Sequence, residues 1–94
     1  MADVKHPVAG GYGKIVKADG DVQELVNQVL KEVNQAMKAN HKALIAMLYQ
    51  SQVVHGANYK ILVCDKDEYI TVMLHVGLGQ TGAKFTSAHS GDIQ

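Results

Sequence analysis

Tryptophan is absent from this chain, and cysteine, proline and phenylalanine occur once each. With Cys64 as the only thiol no internal disulfide can form, so 94 residues must hold their fold by packing alone. A small unstapled fold with a free thiol suits a reducing compartment, and the cytosol is the expected location. Nine basic and nine acidic side chains leave no net charge, and no basic cluster stands out locally. That balance excludes the electrostatic footprint of a nucleic-acid or anionic-membrane partner. Residues 1–7 (MADVKHP) lack the apolar core of a secretory signal. Nowhere is there the run of about twenty apolar residues that a spanning helix needs. Internal repeats, low-complexity tracts and linkers are missing too, so residues 1–94 are expected to form one domain.

What is present begins with a glycine-dense arm. Residues 1–18 contain Gly10, Gly11 and Gly13, the one proline, and only short apolar pieces such as Val8-Ala9 and Ile15-Val16. The arm is expected to be flexible, with a first strand towards its end.

A helix is predicted over about 20–38. Val22, Leu25, Val26, Val29, Val33, Ala36 and Met37, widened by Leu30, recur at the spacing of one apolar stripe. Glu24, Asn27, Gln28, Lys31, Glu32, Gln35 and Lys38 fill the other side. Asp21 with Glu24 has the form of a capping box, Asp19 is a second N-cap candidate, and Asn40 can serve as a left-handed stop.

Strands follow, with no second helix. Residues 43–54 and 57–64 form a central pair, the latter alternating Tyr59, Ile61 and Val63. Asp65-Lys66-Asp67 makes a polar turn. Residues 68–76 put Ile70, Val72, Leu74 and Val76 on one face and Tyr69, Thr71, Met73 and His75 on the other. A glycine-punctuated loop at 77–82 precedes a weak last strand at about 84–89. One helix followed by sequential hairpins implies an antiparallel sheet packed on that helix, an α+β domain.

Catalytic chemistry finds no support. Cys64 ends an apolar strand, and no base or helix N-terminus is at hand in sequence. The five histidines (His6, His41, His55, His75, His89) follow no metal-ligand spacing. Gly10-Gly11-Tyr12-Gly13 lacks the preceding strand and following helix of a phosphate-binding loop. No enzyme, no metal and no cofactor is the expectation.

The informative stretch is Gln52-Val53-Val54-His55-Gly56, between the two central strands. Turn tips ordinarily take Asn, Asp, Ser or Gly. Two valines beside the reversal either face inward at a strand end or stand exposed for a partner to cover.

The pentapeptide has the form Gln-x-Val-x-Gly, with Asn58-Tyr59 just after it and Gly10-Gly11 about forty residues before it. The segment from Ser51 to Tyr59 closely resembles the stefins, the small intracellular branch of the cystatin superfamily. The resemblance implies the cystatin fold, one long helix wrapped by a four- to five-stranded antiparallel sheet. It also implies reversible, tight-binding, competitive inhibition of papain-like cysteine proteases, the cathepsins and their relatives. In that family a wedge of three segments enters the active-site cleft. Matched by position these are Val8, Ala9, Gly10 and Gly11; then Gln52, Val53, Val54, His55 and Gly56; then Leu78 and Gly79.

Two departures stand out. The family's second hairpin usually carries a Pro-Gly or Leu-Pro pair, and secreted members carry a tryptophan there; this chain has Leu78-Gly79. The tail is also shorter and more polar than a stefin tail. These departures motivate an alternative, a non-inhibitory interaction module of the same fold. A monomer is expected, and the valine-rich hairpin is also a hinge at which two copies could exchange strand and helix.

Overall fold

The computed structural model describes residues 11–91. Helix α1 runs over Gly20–Met37. Its N-cap is Asp19, the second of the two candidates: extended backbone there lets the carboxylate accept the Val22 amide at 3.0 Å. Asp21 lies inside the first turn, where its charge favours the positive end of the helix dipole. The C-terminus also departs from expectation. Lys38, not Asn40, adopts the left-handed conformation (φ 54°, ψ 48°), turning its own amide back towards the Asn34 and Gln35 carbonyls. Asn34 then secures the exit, donating to the His41 carbonyl at 2.9 Å and accepting the His41 amide at 2.8 Å.

Five strands follow a meander. β1 (Val16–Lys17), β2 (Ile45–Val54), β3 (Gly56–Asp65), β4 (Glu68–Val76) and β5 (Ala83–Ser90) lie in sequence order, each antiparallel to the next. β4 has the ends read from alternation. β2 begins at Ile45 rather than 43, because Leu44 is consumed as a buried anchor. The last strand is not weak: β5 is eight residues long and pairs with β4 from Ile70 to Val76, across a bulge at Met73/Leu74. Ala83, Phe85 and Ala88 of β5 pack on the core.

Helix and sheet bury each other. Val22, Val26, Val29 and Val33 meet Leu44, Ile61, Val63, Ile70, Val72 and Leu74, all at most 3% exposed. Each such side chain contributes about 1.5–3 kcal/mol on burial, so this seam is the main source of stability. Leu25, Leu30 and Met37 are half-buried at its margins, whereas Ala36, read as part of the stripe, is exposed. Thr71 is buried although alternation puts it on the outer face; its hydroxyl donates to the Gly91 carbonyl at 2.9 Å.

Two polar ties fix how the sheet sits on the helix. Gln23 spans the start of β2, donating to the Leu44 carbonyl (2.8 Å) and accepting the Ala46 amide (2.9 Å) beside the bulge at Ala46/Leu48. At the end nearer the helix C-terminus, His41 donates through Nδ1 to Asp65 Oδ2 at 2.6 Å. No helix among the described residues is long and apolar enough to cross a membrane.

Candidate functional site

The β2–β3 hairpin reverses on a single residue. Val54 pairs with Gly56, and His55 alone forms the tip. So tight a reversal requires a positive φ, which Gly56 supplies at +97°. The valines beside it face outward: Val53 is 70% exposed and Val54 40%. Of the two readings their position allows, the exposed one holds.

The β4–β5 connection lies against this tip. A β-carbon placed on Gly56 would stand 2.3 Å from the Val76 carbonyl oxygen, 2.9 Å from the Leu78 amide nitrogen and 3.0 Å from the Gly77 carbonyl carbon. The two loops touch backbone to backbone, and only glycine permits it. The second loop is itself a turn, closed by the Gln80 amide on the Gly77 carbonyl at 3.0 Å. Gly79 takes φ +72° at its third position, the pattern of a type II turn. Leu78 at the second position is 66% exposed. Without proline this loop is still a hydrogen-bonded turn.

The N-terminal segment reaches the same end. Gly13 donates its amide to the Ser51 carbonyl at 2.9 Å and accepts from the Gln50 side chain at 2.9 Å. The Tyr12 ring lies 4.5 Å from Lys60 Nζ, a cation–π contact. Residues 13–18, read as part of a flexible arm, are thus pinned along β2, with Ala18 bonded to the Met47 carbonyl as well. Gly11 sits just beyond the last of these ties. Val8, Ala9 and Gly10 lie outside the described residues.

Behind the tips runs a polar row that joins Gln52 and Asn58 to His75, a residue no sequence motif marks. Gln52, Asn58 and His75 are cross-strand neighbours on β2, β3 and β4. Asn58 Nδ2 donates to Gln52 Oε1 at 2.7 Å, and His75 Nδ1 lies 2.7 Å from Asn58 Oδ1. One row inward, Tyr59 stacks obliquely on Tyr49, with ring centroids 5.9 Å apart. Burial raises the Tyr59 phenol pKa, with Tyr49, Asp19 and Asp21 adding to the shift.

These features—one helix wrapped by a five-stranded meander, with a Gln-x-Val-x-Gly tip at the sheet end—match a known family. A cystatin-domain family model covers residues 10–72. The chain belongs to the cystatin family. It is 31% identical to cystatin-A8 of Sus scrofa over 78% of this chain and 72% of that protein. It is likewise 31% identical to cystatin-A of Felis catus, over 76% and 74% of the two chains. A third relative, leukocyte cysteine proteinase inhibitor 1 of Sus scrofa, is 34% identical over 60% of this chain and 54% of its own length. These cystatin-A-type relatives place the chain with the stefin branch. The family model ends at residue 72, before Leu78-Gly79.

Proposed function

We propose that this chain is a reversible, tight-binding, competitive inhibitor of papain-like cysteine proteases of the cathepsin type. The observation that carries the reading is the contact of Gly56 with Val76 and Leu78. It makes the first hairpin tip and the second loop one edge bearing exposed Val53, Val54 and Leu78. Family membership and the inhibitor named among the relatives support it. The apolar tips gain by burial in a cleft, at about 25 cal/mol per Å². Two loops already locked together lose little ordering entropy on docking.

In this reading Gln52, Val53, Val54, His55 and Gly56 enter the cleft beside Leu78 and Gly79. Val8 and Ala9 run along the non-primed subsites, and Gly10 and Gly11 let the backbone pass close to the catalytic thiol. The wedge blocks that thiol without presenting a scissile bond in register. The inhibitor acts as a monomer, in the cytosol, with no chemistry or cofactor of its own.

The alternative of a non-inhibitory module rests on the short, polar tail and on the second loop. β5 pairs with β4 from Ala83 to Ser90 across one bulge, so the last strand is not weak, while the tail's shortness and polarity and the second loop without proline still speak for the module. Titration of papain with the purified chain, using a small peptide substrate, separates the two. Inhibition should be relieved by excess substrate. Full protease activity at roughly micromolar chain, a concentration at which even an affinity of about −8 kcal/mol would register, contradicts the proposal.

A further inference from the structure

We infer that His75 is a positioning residue for the inhibitory edge, locking the flank of the first hairpin to the strand that carries the second loop. The inference rests on the inhibitor reading for its function but on geometry for its existence. Asn58 Nδ2 donates to Gln52 Oε1, which leaves Asn58 Oδ1 only the acceptor's role. His75 Nδ1, 2.7 Å from that oxygen, must therefore carry the proton and donate it. A directed chain results, from His75 on β4 through Asn58 on β3 to Gln52 on β2. Each link joins register partners, so backbone pairing and side-chain bonding act along one line.

Position in the chain explains the consequence. His75 immediately precedes Val76, whose carbonyl oxygen abuts Gly56, and Gln52 opens the segment that ends at Gly56. The side-chain bonds lie just behind the tips, on the flank of the same two strands. They oppose splaying of the β2–β3 ribbon at the point where Val53 and Val54 leave it. Both bonds are part-buried, so water replaces them at a loss.

The test compares His75→Phe, which keeps a planar ring without the donor, with His75→Asn, whose Nδ2 occupies the place of the imidazole Nδ1. H75F should speed dissociation from papain by about three- to tenfold, with association little changed. H75N should restore most of the loss, and in an Asn58→Ala background H75F should add nothing. The free proteins supply a readout independent of any protease. Amide hydrogen exchange at 53–57 should quicken in H75F and return towards wild type in H75N, with the melting temperature tracked throughout. If H75F and H75N match each other, or H75F matches wild type, in exchange at 53–57, the inference fails. If the wild-type chain leaves papain fully active, the inhibitor reading fails instead, and the exchange data still decide whether His75 positions the edge.

Discussion

Gly56 lies so close to Val76 that a β-carbon on the former would stand 2.3 Å from the carbonyl oxygen of the latter. This one approach joins the two loops of the sheet end, and both its partners are backbone, which cannot swing aside as a flexible side chain could. Gly56→Ala should therefore cost about 3 kcal/mol, from the clash together with the unfavourable φ of +97°. Urea unfolding measures that loss. An unchanged midpoint would mean that the loops part easily and do not act as one edge.

The helix exit offers the opposite sign. Lys38 holds a left-handed conformation that glycine adopts without the steric penalty of a β-carbon. Lys38→Gly should stabilise the chain by about 0.5–1 kcal/mol. Chemical denaturation would reveal it, and a lowered midpoint would show that the lysine side chain contributes more than its backbone costs.

Gln23 closes two backbone groups at the start of β2 with a single amide. Gln23→Ala leaves the Leu44 carbonyl and the Ala46 amide without those partners, at a cost of about 2 kcal/mol. Exchange of the Ala46 amide should quicken with it. Unaltered exchange there would assign the anchoring of β2 to Leu44 packing alone.

Alkaline pH should find Tyr59. Its pKa is raised above 10.0 in the folded chain, chiefly by burial. The unfolded chain therefore ionises first, and stability present below pH 10 declines as pH rises through the folded pKa. Tyr59→Phe removes that contribution and should flatten the alkaline fall in unfolding free energy. Tyr12 is raised by burial too, so part of the slope persists in the variant. A slope identical to wild type would deny Tyr59 any share.

The fold was largely legible in the sequence because its signals are periodic. The valine stripe of α1 and the alternation of β4 each encode which face is buried, and the core follows from them. Capping was less legible. Two acids competed for the N-cap, and only the start of the helix at Gly20 decides for Asp19. The left-handed stop falls on Lys38, two residues before Asn40, against residue preference, and Asn34 then brackets His41 to fix the exit. At the site, Gly56 could be read as a turn former, but its approach to Val76 is a contact between hairpins that no local pattern records. The Asn58–His75 pairing was within reach. Counting back from the two-residue turn at Lys66-Asp67 places them opposite each other, and alternation puts both on the outer face. A lone histidine in a strand gives no reason to make that count.

The location of the proposed inhibitory edge is tested most directly by one charge placed at each end of the sheet. Val53 and Ile45 are both exposed apolar residues of β2, the first beside the hairpin tip and the second at the strand's far end. Val53→Asp should raise the inhibition constant against papain by at least about tenfold, since a carboxylate would enter an apolar cleft. Ile45→Asp should leave it unchanged. Equal inhibition by wild type and V53D, or a loss confined to I45D, would contradict the account.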